Sequence, residues 1–166
     1  KNAQDAIKQG IATVYQDPQM ISTFTGYENI YLGSESEGKG IFSRINRKKL
    51  HEKAEKLLER FPVDIDLTKP VIELSAIEKE IIAVLRALSK DMSVLVLDEP
   101  TSILTETETE VLFNLIRLLK ERGVSIIYIT HRLKEIYQIA DRLTVLQDGK
   151  NVATLNTNEG DSDNHM

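Results

Sequence analysis

VLVLDEPTS, residues 94–102, is the stretch that decides the fold. Four consecutive apolar residues, Val94 to Leu97, suit a central parallel strand covered on both faces. Asp98 and Glu99 follow at once, at the strand end where ligands gather in α/β sheets. A carboxylate there can hold a Mg²⁺ ion directly or through water. A second carboxylate beside it can polarise an attacking water. On an extended backbone adjacent residues point to different sides, so one acid can face the metal and the other the water. The plainer alternative is a strand that ends in two solvated acids.

The flanks supply the layers such a strand needs. Upstream, Ser75 and Glu78 make a capping box. It opens a helix whose Ile77, Ile81, Val84, Leu85 and Leu88 form an apolar stripe. Downstream, Thr105 and Glu108 make another, and that helix runs to Arg122 and stops at Gly123. Residues 124–130 read as a second buried strand, and 133–139 as a short helix. Two strands, 143–146 and 152–155, are joined by a hairpin turn at Asp148-Gly149. Nearer the N-terminus, Asn46 caps a helix with Leu50, Ala54, Leu57, Leu58 and Phe61 on one face and a solvated charged face opposite. Residues 3–9 form a short helix closed by Gly10, and 11–15 a short buried strand. Gln16-Asp17-Pro18 ends that strand, and 26–33 are weakly helical. Strand and helix alternate through the second half, which predicts an α/β layer with parallel strands.

Two further side chains sit just past predicted strands. His131 follows residues 125–130, where an imidazole could hydrogen-bond both a γ-phosphate and a catalytic carboxylate. Gln16 follows residues 11–15, and its amide reaches a metal or a water without adding charge. Either alone is more often structural. Composition narrows the classes. A chain of 166 residues can bury a real core. The net charge of −5 argues against a nucleic-acid surface. The absence of cysteine excludes disulfides and thiolate metal sites, which fits a cytosolic protein. No run of about 18 apolar residues is present to span a membrane as a helix, and no signal peptide is visible.

Five stretches together carry a resemblance: GIATVYQDP (10–18), ELSAIEKEIIAVLRAL (73–88), VLVLDEPTSILT (94–105), IIYITHRLKEI (126–136) and DRLTVLQDGK (141–150). Over about residues 1–156 they resemble, in order and spacing, the ATP-binding subunit of an ABC transporter. The wording is most similar to sugar importers of the ribose, galactose and xylose type, and to the first of their two fused cassettes. The resemblance implies an α/β fold, a P-loop NTPase-like cassette fragment with a parallel core sheet plus a helical subdomain. Residues 1–25 would be a core segment ending in the Q-loop, and 26–90 the α-helical subdomain with the signature helix. Residues 91–157 would be the α/β core with Walker B, D-loop and switch histidine, and 158–166 a disordered tail. ATP and Mg²⁺ are the implied cofactors. Gln16 becomes the Q-loop glutamine that senses Mg²⁺ and nucleotide, Asp98 the metal-holding acid, Glu99 the general base and His131 the switch histidine. Residues 102–105 would touch a second ATP-binding cassette, and 17–33 the transmembrane permease. The expected place is peripheral, on the cytoplasmic face of the cell membrane, with no nucleic-acid partner.

One departure matters. The family signature Leu-Ser-Gly-Gly-Gln reads here Leu74-Ser75-Ala76-Ile77-Glu78. In the family, Ser75 would contact the γ-phosphate of ATP held by the opposite cassette, at a helix N-terminus that favours anions. Ile77 adds bulk where glycine allows close approach, and Glu78 adds negative charge unless it is occupied by capping Ser75. A near-match to the phosphate loop, GSESEGKG at 33–40, follows an amphipathic stretch and contains Glu35 and Glu37. It reads as an accidental match in a surface loop. The phosphate-cradling lysine and glycine amides are therefore expected upstream of Lys1, and the chain is read as a truncated cassette that is inactive alone. Two alternatives are a soluble ABC-type ATPase of repair or translation and a non-catalytic interaction fragment.

Overall fold

Three parallel strands organise the larger part of the molecule. β1 (Ile11–Val14), β2 (Val94–Asp98) and β3 (Ser125–Ile129) lie in the order β1-β2-β3. Val14 pairs in register with Leu97, and Leu97 with Tyr128. The structure, a computed structural model, describes residues 3–33, 46–90 and 92–157. The GSESEGKG loop beyond Gly33 and the tail from 158 lie outside them. The chain forms two compact units, Lys1–Ile129 and Thr130–Met166.

β2 is central, as its apolar run requires, but only one of its faces is fully covered. Leu95 and Leu97 are buried, whereas Val94, Val96 and Asp98 are partly exposed. Register places Ile127 of β3 beside Val96, and Ile127 is 53% exposed. The expectation of a strand covered on both faces is thus met on the side of Val14, Leu95 and Leu97. The reason is the placement of the helices. α4 (Ala76–Leu88) packs against β1 and α5 (Glu106–Glu121) against β3. The α5 ring of Phe113 meets Tyr128, the register partner of Leu97, edge-on with centroids 6.1 Å apart.

The capping boxes read at Ser75–Glu78 and Thr105–Glu108 are both formed. Both the backbone and the side chain of Thr105 donate to Glu108, which holds that carboxyl below its ordinary value. The cap therefore contributes above the ordinary Glu range and fades as pH falls through the lowered value. Replacing Thr105 by Ala is expected to cost about 1 kcal/mol in urea unfolding at neutral pH, and less in acid.

Between the strands lies a helical region. α2 (Gly26–Ile30) packs on α3 (Arg47–Leu58) and on α4. Its start is tightly packed: a Cβ on Gly26 would sit 3.1 Å from Ile82 Cδ1 and 3.2 Å from Leu67 Cα, so its neighbours would have to shift by a few tenths of an ångström. Thr25 and Glu28 form a third capping box, which is why the short helix holds. Phe61 lies beyond the end of α3 yet is buried, with the Arg122 guanidinium 4.8 Å over its ring.

The second unit consists of α6 (Leu133–Ile139) and an antiparallel pair, β4 (Arg142–Gln147) and β5 (Lys150–Asn156). Asp148 and Gly149 have φ of +50° and +73°. Two left-handed residues make the tight turn whose twist matches the strands, as the Asp-Gly pair predicts.

Candidate functional site

Parallel pairing gives the sheet one end at which all strands finish, and the candidate residues Gln16, Asp98 and Glu99 stand at or just past those strand ends. Asp98 is the last residue of β2 and is half-buried. Glu99 follows with φ +47°, outside the strand conformation. The expectation that two acids alternate along one extended backbone is corrected here. Glu99 turns off the strand in a left-handed conformation, with its N–H donated to the Ile129 carbonyl at 2.9 Å. Such a φ is unfavourable for a residue with a Cβ. It is doubly so before Pro100, because proline restricts its predecessor to extended backbone. Strain of this kind costs on the order of 1–3 kcal/mol and persists where neighbours over-determine it. Here the neighbours are the β3 carbonyl and a turn in which Thr101, fully buried, lies 3.4 Å from the Tyr128 hydroxyl.

Gln16 stands two residues past Val14, the register partner of Leu97. It is exposed and reaches the same sheet end one strand over, in the neighbourhood of Asp98 and Glu99. Adjacent strands lie about 4.8 Å apart, so Gln16 and Asp98 follow neighbouring strand ends. Among the described residues no group of three or more His, Cys, Asp and Glu side chains is arranged to hold a metal. A cation here would take one carboxylate, one amide, water and phosphate oxygens. That donor set of hard oxygens fits Mg²⁺, which keeps several waters and few protein ligands.

Ser75 is the N-cap of α4 and is exposed. Its Oγ donates to Glu78 Oε2 at 2.7 Å, and its N–H donates to the same oxygen at 2.7 Å. Glu78 is thus engaged in the cap, the arrangement in which its charge is partly satisfied locally. His131 follows β3 by two residues, is exposed, and belongs to the second unit. Beside it Thr130 donates to Glu135 Oε2 at 3.0 Å, and Arg132 pairs with Glu135 at 3.4 Å.

Sequence reasoning missed Asn29. Its side chain is fully buried, accepts from the Ile21 N–H at 2.9 Å and donates to the carbonyls of Ile21, Phe24 and Thr25. It fastens residues 21–25, which present Ile21 and Phe24 to solvent. The one available signal was the Thr25–Glu28 capping box, which fixes a helix start and puts position 29 in its first turns.

A parallel sheet flanked by helices, with its acids at the C-terminal end of the central strand, is an α/β P-loop NTPase-like fold. The chain belongs to the ABC transporter family, whose profile matches residues 1–102. Curated relatives agree. The ribose import ATP-binding protein RbsA of Clostridium tetani is 41% identical over 165 residues, which is 98% of this chain and 32% of that protein. The xylose import ATP-binding protein XylG of Thermoanaerobacter pseudethanolicus is 40% identical over 154 residues, 93% of this chain and 30% of that protein. The chain therefore spans about a third of the length of these relatives. Among solved structures, a nucleotide-free ATP-binding cassette from an ABC transporter superposes with a TM-score of 0.79 at 25% identity. It is matched over 94% of this chain and 64% of that one. An ATP-binding cassette of an ABC transporter in its ADP conformation superposes with a TM-score of 0.78 at 26% identity, over 94% of this chain and 64% of that one.

Proposed function

We propose that the chain is part of the ATP-hydrolysing cassette that energises sugar uptake by an ABC importer. The observation that carries this is the strained Glu99, held off the end of the central strand beside Asp98. Strain at a reactive carboxylate is a signature of function, and the relatives named for ribose and xylose import supply the class of cargo. When bound, Mg²⁺ neutralises charge on the terminal phosphates of ATP. Asp98 would hold the cation, with the Gln16 amide reporting its presence. Glu99 would accept a proton from the attacking water, and His131 would donate a hydrogen bond to a γ-phosphate oxygen. Ser75, with α4 behind it, would meet the nucleotide of a second cassette. The 166 residues contain no complete G-x-x-x-x-G-K-[ST] stretch. The polypeptide of this sequence is thus expected to bind ATP weakly by itself.

Exchanging Asp98 for Asn removes the charge on the metal-holding oxygen. In a polypeptide in which this cassette binds nucleotide, calorimetry is expected to show that Mg²⁺ no longer improves ATP affinity. An unchanged Mg²⁺ dependence would remove Asp98 from this role.

The importer reading is favoured over a soluble ATPase by the surface of residues 15–24. There Tyr15, Ile21 and Phe24 are each exposed, side chains that a protein partner could cover. The membrane permease is the assigned partner. The chain has no cysteine, so Thr23→Cys provides a single attachment point for a crosslinker. In membranes carrying the importer, the expected product joins the cassette to an integral membrane subunit. Crosslinks to soluble proteins alone would favour a soluble ATPase instead.

A further inference from the structure

Glu80 lies in the middle of α4 and is only 5% exposed. Another buried acid, Glu135, is served by Thr130 and Arg132. Glu80 is different: its Oε1 is buried and accepts no hydrogen bond, alone in this among the side-chain atoms of the described residues. A buried carboxylate oxygen without a donor is costly to keep charged. Glu80 shares a helix face with Ala83 and Ala87, three and seven positions on. Those two alanines, with Arg86 and Lys90, line a cavity of about 200 Å³ whose other wall includes Ile11–Val14 of β1 and Met20.

Among the described residues no cation on the packed elements offsets the burial. β1 carries no charged residue. The buried positions of α5 are Leu112, Phe113, Leu115, Ile116 and Leu119, which leaves Glu106, Glu108, Glu110, Arg117, Lys120 and Glu121 off that face. Glu28 of α2 is held by Thr25 and Arg47. On α4 itself, Glu78 is tied to Ser75, Arg86 donates to the Gln19 carbonyl, and Lys79 lies one position away on the helix, where side chains do not face each other.

We propose that Glu80 makes the seating of α4, and of the Ser75 cap at its start, depend on proton binding. The neutral acid is tolerated at its buried position on α4. Loss of its proton leaves a bare anion there and loosens α4 from β1. Burial alone pushes the Glu80 carboxyl from its ordinary 4.5 up to about 7, in keeping with the geometry. The folded state thus binds a proton that the unfolded chain has released, so stability falls as pH rises from the ordinary value through the raised one.

The test uses unfolding and hydrogen exchange without nucleotide, so it stands or falls separately from the ATPase reading. Between pH 5.5 and pH 8 the wild-type unfolding constant is expected to rise about 30-fold relative to that of Glu80→Gln, with α4 amides losing protection in the wild type only. Every group other than residue 80 is common to the two proteins and cancels in the comparison. Equal pH slopes in the two proteins would overturn the proposal. Should the Gln variant fail to fold, Glu80→Met serves in its place, with the same flat profile expected relative to wild type.

Discussion

Glu99→Gln is expected to lower ATP turnover by about two to four orders of magnitude, the usual worth of a positioned general base. The measurement is single-turnover phosphate release by a polypeptide in which this cassette hydrolyses ATP. Gln keeps the shape of the side chain and has no place for the water's proton, so nucleotide binding should survive. The backbone offers a control that separates strain from chemistry. Glu99 holds φ +47° before a proline, a conformation that glycine adopts without penalty. Glu99→Gly is thus expected to be equally inactive but more stable than Glu99→Gln, by about 1 kcal/mol. Urea unfolding of the two variants checks this. If Glu99→Gln turned over at the wild-type rate, the general-base role would be lost, and the strain would need another reason.

Phe113→Ala should produce the largest loss of stability, about 3–5 kcal/mol. Phe113 is fully buried in α5 and lies edge-on to Tyr128 of β3. Truncation removes a large apolar surface and leaves a cavity between helix and sheet. It also removes support from Tyr128, whose hydroxyl stands 3.4 Å from Thr101 in the turn after Glu99. A variant at this distance from the strand end is therefore expected to disturb the site as well as the core. Phe113→Leu keeps most of the volume, and its cost should be about half as large or less. Chemical denaturation monitored by far-UV circular dichroism measures both. A loss below about 1 kcal/mol for the alanine variant would mean that α5 is not seated on the sheet as described.

Local signals were legible wherever a few neighbouring residues decide the outcome. The apolar run 94–97 named the central strand, and Asp98 stands at its end. Ser75–Glu78 and Thr105–Glu108 fixed two helix starts, and Asp148-Gly149 fixed a hairpin. Each of these is a hydrogen-bonding or torsional preference completed within about four residues. Thr25–Glu28 was equally available but lay in a segment too short and weakly periodic to read as more than partly helical. The acid pair and the glutamine past the first strand were read as candidates from position alone, and the parallel register brings Gln16 to the sheet end that carries them.

Other features needed the whole fold. Glu80 sits among the polar positions of an amphipathic pattern, yet packing of α4 on sheet and helices buries it. Glu99 is left-handed while its N–H is bonded to Ile129, a residue of a different strand. The open face of the sheet, with Ile127 in solvent, follows from both covering helices lying on the opposite side. The sequence by itself determined the elements, their caps and the order in which reactive side chains follow the strands, because those depend on contacts along the chain. Tertiary structure alone decided which carboxyl is desolvated and which backbone is strained, because burial and long-range hydrogen bonds are properties of neighbours that meet only after folding.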